Sequence, residues 1–125
     1  MRTITLFLTV LLLNACDALS SQATQLSIRL DANPKVAEVG DTVRFVVSAT
    51  ATNISGIVIN YGDSTSDQYV TGGGASAQVT FKHVYSATGN FMSRATVTDA
   101  VAGDREVSQL IVVNPDTSTA AAGRS

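Results

Sequence analysis

One thiol, one imidazole and a short run of hydroxyls and carboxylates are the reactive side chains this sequence offers. The thiol is Cys16 and the imidazole is His83. The run is Asp63-Ser64-Thr65-Ser66-Asp67. A serine hydrolase joins a hydroxyl, an imidazole and a carboxylate, so Ser64 or Ser66 with His83 and Asp63 or Asp67 supplies the right types. No nucleophile elbow accompanies these serines, and a polar turn between strands has the same composition. Metal binding is the second chemistry to weigh. Asp31, Asp41 and Asp99 would have to gather at one end of the domain to hold calcium, which takes about six to eight oxygen ligands. They are scattered, with no ligand-dense loop, and otherwise read as turn and cap residues. No P-loop, dinucleotide fingerprint or zinc spacing occurs. The expectation is a chain without catalytic residues, metal or cofactor, calcium being the one ion left open.

Cys16 has a different chemistry. Met1-Arg2-Thr3 carries a positive charge, Ile4 to Leu13 is almost wholly apolar, and small Ala15 precedes the thiol. That order marks a secretory signal, too short to span a bilayer. With cysteine at the first mature position, Leu13-Asn14-Ala15-Cys16 resembles the lipobox of a bacterial lipoprotein signal. The resemblance implies cleavage before Cys16, a diacylglycerol on its sulfur and an acyl chain, typically palmitate, on its amino group. One chain holds a protein only marginally, and two or three anchor it firmly. It also implies an extracytoplasmic place at the cell envelope, with Asp17 favouring the cytoplasmic membrane. The alternative is an ordinary cleaved signal that leaves a free thiol.

Residues 1–15 are thus read as signal and 16–24 as a lipidated tether. Residues 25–113 form one folded domain, and 114–125 a disordered tail too poor in apolar residues to pack. The chain has 8 basic and 10 acidic residues, a net charge of −2. The basic residues stand singly with no stripe, which argues against nucleic acid. Cys16 is the one cysteine, so no disulfide supports the core.

Within residues 25–113 the apolar pattern has period two. Leu26, Ile28 and Leu30 alternate with polar neighbours, as do Val43, Phe45, Val47 and Ala49. Ile57, Ile59 and Tyr61 make a third row, Val79, Phe81 and His83 a fourth, and Phe91, Ser93, Ala95 and Val97 a fifth. Such alternation marks strands with one buried face. Asn33-Pro34, Gly40-Asp41, Gly62-Asp63-Ser64, Gly72 to Gly74 and Ala102-Gly103-Asp104 punctuate the rows. The fold class is all-β, an antiparallel Ig-like sandwich of about seven strands.

Three stretches resemble the PKD domain, an immunoglobulin-like module. They are Gly40-Asp41-Thr42-Val43-Arg44-Phe45, then Ile59-Asn60-Tyr61-Gly62-Asp63-Ser64, then His83-Val84-Tyr85 with Gly89, Phe91 and Asp99. The likeness runs over roughly residues 35 to 113. It implies structural roles for Tyr61, Gly62, Asp63, His83, Tyr85, Gly89 and Asp99. Gly62 is expected at positive φ, Asp63 as a turn-fixing acceptor, and Tyr85 as a tyrosine corner. The sequence departs from the family at Ile59, Asn60 and Ser64, which stand where it has tryptophan, aspartate and glycine. Small Ser93 and Ala95 imply a thinner core, or one filled from the side by Met92 and Phe81.

Function is then expected to be binding. The candidate loops carry Asp63, Ser64, Asp67, Tyr69, Gly72 and Gly73, since loops on rigid scaffolds commonly carry function. Tyr69 is the one aromatic expected outside the core, and the chain has no tryptophan. A protein partner therefore ranks above carbohydrate. The leading reading is a lipid-anchored interaction module at the bacterial envelope. The alternatives are an accessory subunit of an envelope complex and a secreted carbohydrate-binding module.

Overall fold

The computed structural model describes residues 25–117. Cys16, the expected signal and the tether lie outside the described residues, as do tail residues 118–125. Eight strands follow one another: β1 (Ser27–Asn33), β2 (Val36–Glu38), β3 (Thr42–Thr50), β4 (Ile54–Asn60), β5 (Ser66–Val70), β6 (Ser76–Val84), β7 (Gly89–Asp99) and β8 (Gly103–Asn114). They form two sheets, β1-β3-β6 and β2-β8-β7-β4-β5. The fold is the expected all-β sandwich.

The alternating rows decide which faces meet. Val43, Phe45, Val47 and Ala49 on β3 are buried, with Phe81 beside Phe45 on β6. Across the interior, Ile57 and Ile59 on β4 pair with Val97 and Ala95 on β7. Ile111 and Val113 extend that layer on β8. Each fully buried aliphatic side chain contributes roughly 1.5–3 kcal/mol, so these rows hold the sheets face to face. Ile59 is fully buried where the resembled family has tryptophan.

Of the two packing alternatives, filling by Met92 is the one the structure corrects. Met92 does not fill the core but is 45% exposed. Phe91, Ser93 and Ala95 take the inner face of β7, which sends Met92 to the outer face. Phe81 does lie in the core.

The chain changes sheets at a cis Asn33-Pro34 bond. Pro34 has no N–H and cannot extend the β1 ladder. Lys35 O then accepts the Val112 N–H at 2.9 Å, and β2 runs parallel to β8. The last strand runs through Asn114, and Thr117 bonds Glu38 at 2.8 Å, so the first tail residues follow β2.

Hydrogen bonds sort the loops into two ends. Ala51 N–H to Ala75 O and Ile54 N–H to Gly74 O join the β3–β4 and β5–β6 loops. Arg105 donates to Leu26 O at 2.5 Å and brings the start of the domain to that same end. At the other end, Gly40 N–H to Tyr85 O joins the β2–β3 and β6–β7 loops.

Candidate functional site

The β4–β5 turn and the end of β6 gather most of the singled-out residues. Tyr61, directly after β4, is buried and stacks on His83, with ring centroids 3.9 Å apart and planes parallel within 1°. His83 meets the Tyr85 ring edge-on at 4.7 Å, and Tyr85 stacks on Phe91 at 4.7 Å. The Tyr61 hydroxyl donates to Asp67 at 2.7 Å. Burial, then the bond and charge of Asp67, push the Tyr61 hydroxyl far above the usual phenol range. Burial likewise raises Tyr85.

Asp63 fixes the turn as expected. Its Oδ1 accepts the Thr65 N–H at 3.2 Å and the Thr65 hydroxyl at 2.5 Å. Its Oδ2 lies 2.7 Å from His83 Nε2. Burial opposes the charged form, but the bonds from Thr65 and His83 prevail, and the carboxyl sits below its ordinary value. Gly62 has the expected positive φ of 88°. A Cβ there would lie 2.8 Å from Met92 O. Ser64 takes φ 74° where the resembled family has glycine. Gly89 is also left-handed, at φ 149°.

These groups do not assemble a hydrolase. A triad uses both ring nitrogens, one toward the carboxylate and one toward the nucleophile. Here Asp63 and Thr65 both face Nε2, at 2.7 Å and 3.4 Å. The Asp67 carboxylate is taken up by Tyr61. The cluster is built to hold a turn.

Asp31, Asp41 and Asp99 do not gather into the end cluster that calcium would need. Asp31 pairs with Arg29 at 2.8 Å, and Asp41 accepts the Glu38 N–H at 2.9 Å. Asp99 is buried and accepts four backbone N–H groups, from Thr52, Asn53, Val101 and Ala102. Those bonds outweigh burial and hold its carboxyl below the ordinary range. Among the described residues, no group of three or more His, Cys, Asp or Glu side chains could hold a metal.

The exposed candidates lie elsewhere. All five residues of β5 are exposed, Tyr69 by 50% and Val70 by 76%. Gly72 and Gly73 follow in the β5–β6 loop. Gly73 has φ 83°, and a Cβ there would lie 2.8 Å from Asn53 Oδ1. Tyr69, Gly72, Gly73, Gln78 and Val79 line an open groove of about 220 Å³ between β5 and β6. Asp63 and Ser64 sit at the opposite end of β5 from Gly72 and Gly73, so the candidate loops form two surfaces.

Two contributors escaped the sequence. Ser93 is fully buried; its hydroxyl donates to Tyr61 O at 3.1 Å and lies 2.9 Å from Tyr85 Oη. Its inward position was legible from alternation, but its partners come from other strands. Thr65 is a turn residue whose bond to Asp63 required the turn geometry.

No family model matches the sequence, and no curated protein matches it. Solved structures do. The PKD domain of an M14-like peptidase from Thermoplasmatales archaeon SCGC AB-540-F20 superposes with a TM-score of 0.59 at 17% identity, over 75% of this chain and 96% of that one. The PKD1 domain of Vibrio anguillarum Epp gives 0.57 at 10% identity, over 76% and 100%. The fold is PKD-like. The same sandwich occurs in a putative superoxide reductase from Thermotoga maritima, with a TM-score of 0.58 at 17% identity, over 70% and 85%. The PKD-like sandwich is therefore a scaffold shared by unlike proteins, and function has to be argued from this chain's own residues.

Proposed function

We propose that this chain is a non-catalytic interaction module, held by lipid on Cys16 at the extracytoplasmic face of a bacterial membrane, and that it binds a protein partner. The observation that carries the binding role is β5 with its groove. A wholly exposed edge strand ends in Tyr69 and Val70 and opens onto Gly72 and Gly73. By contrast, the polar cluster around His83 is occupied in holding the β4–β5 turn. A sugar platform would ask for more than one exposed aromatic ring, and Tyr69 stands without a tryptophan neighbour.

The anchor rests on Leu13-Asn14-Ala15-Cys16. Residues 17–24 span at most about 30 Å when extended. The domain begins at the end that carries Asp99 and the Gly72–Gly74 loop, so that end is nearer the bilayer. β5 then runs from the Asp63 turn, at the far end, toward the membrane.

A photoreactive residue at position 69, crosslinked in intact cells, tests the binding role. The expected product is an adduct with a distinct envelope protein, absent when the probe sits at Ser48 on the outer face of the other sheet. Equal labelling from both positions, or no heteromeric adduct from position 69, would overturn the proposal.

A further inference from the structure

We propose that β5 is also a self-pairing edge: two copies of this chain join β5 to β5, antiparallel, about a twofold axis at Gln68. Among the described residues, β5 closes one side of the five-stranded sheet and has one strand neighbour, β4. The bonds Tyr61 N–H to Thr65 O and Thr71 N–H to Ser55 O continue the β4–β5 register at its two ends. Bonded and non-bonded pairs alternate along an antiparallel ladder. The backbone groups of Asp67 and Tyr69 therefore point into β4. Those of Ser66, Gln68 and Val70 point out of the sheet edge, where the strand is exposed throughout.

A second copy matches that edge. Centred on Gln68, an antiparallel partner sets Ser66 against the partner's Val70, Gln68 against the partner's Gln68, and Val70 against the partner's Ser66. Every residue with outward N–H and C=O groups meets another of the same kind. The charges are compatible too. Asp67 falls opposite the partner's Tyr69, so no like charges are directly opposed. Its carboxylate is already held by the Tyr61 hydroxyl.

β5 also carries few of the features that keep edges apart, such as lysine, proline or a bulge. Its sequence is Ser-Asp-Gln-Tyr-Val, in unbroken register with β4. Among the other strands, β2 is three residues long and follows Pro34, and β6 carries Lys82. Five residues bury less than the roughly 800 Å² per partner of a standard interface. The pair is therefore weak in free solution and is favoured where copies are concentrated on a surface. The inference goes beyond the binding role proposed above and does not depend on acylation of Cys16.

The test uses the full chain with Gln68→Cys or Ser66→Cys, oxidised mildly and run on a non-reducing gel. Wild type alongside records any crosslinking through Cys16. In the proposed register the two position-68 α-carbons lie about 5.5 Å apart, within disulfide range. The two position-66 α-carbons are displaced by four residues, about 13 Å along the strands. Gln68→Cys is expected to give several-fold more dimer than wild type, and Ser66→Cys none above it. Ser66→Cys mixed with Val70→Cys should crosslink. Gln68→Pro in both chains should abolish that product, because it removes an outward N–H and leaves the β4 bonds in place. Thermal melts confirm that each variant is folded. Dimer from Gln68→Cys no greater than from wild type or from Ser66→Cys would overturn the inference.

Discussion

The Tyr85 hydroxyl donates a 2.9 Å hydrogen bond to the backbone carbonyl of Tyr61, joining the end of β6 to the end of β4 inside the core. Ser93 closes the triangle from β7, 2.9 Å from Tyr85 Oη and 3.1 Å from Tyr61 O. A buried carbonyl without a donor is costly, and here two donors share one acceptor. Tyr85→Phe or Ser93→Ala alone should cost about 1–2 kcal/mol, since the other donor remains. Together they should cost more than the sum, because Tyr61 O then loses both. A double-mutant cycle from urea unfolding measures the coupling.

Gly62 and Ser64 occupy neighbouring left-handed positions and should respond in opposite ways. Gly62→Ala meets both an unfavourable φ and the Met92 backbone at 2.8 Å. It is expected to lose at least about 2 kcal/mol. Ser64→Gly relieves a left-handed serine at φ 74°, less the extra chain entropy of glycine. It should gain about 0.5–1 kcal/mol. Urea midpoints of the two variants settle the signs.

Asp99 makes its end of the sandwich sensitive to acid. Its folded pKa is depressed by four backbone N–H bonds, so its stabilisation is present above the unfolded value near pH 4. It is lost as pH falls through the folded value. Asp63, depressed through Thr65 and His83, acts in the same direction at the other end. Asp99→Asn should lower the melting temperature at pH 7 and flatten its fall below about pH 4. Melting curves across pH 2–7 would check both effects.

Tyr69 should be dispensable for folding. Half-exposed and with no hydrogen bond from its hydroxyl among those observed, it changes stability by less than about 0.5 kcal/mol as Tyr69→Ala. If the β5 groove binds a partner, the same variant loses the position-69 surface while melting like wild type. A matched melt, and the in-cell crosslinking yield from a photoreactive residue at exposed Val70 with and without Tyr69→Ala, separate the two.

The strand rows were legible because burial on one face forces a period of two. Val43 to Ala49 and Ile57 to Tyr61 needed no further information. The turn was legible through Gly62 and Asp63, whose residue types suit the backbone they adopt. Asp99 was seen as a motif residue, but four N–H groups from two loops reach it only after folding. Met92 was misplaced because small Ser93 and Ala95 suggested empty space. Instead, Ser93 packs by polar bonds and alternation turns Met92 outward. The outward backbone groups of β5 depend on ladder parity, which side-chain patterning does not encode.

The most direct measurement is intact mass with membrane fractionation of the full chain in a bacterial host, beside Cys16→Ala. The account predicts wild type in the membrane fraction, cut before Cys16 and heavier by its acyl groups. The Cys16→Ala chain should leave that fraction or stay uncleaved and unacylated. A soluble wild type with a free thiol at Cys16 would contradict the anchored module.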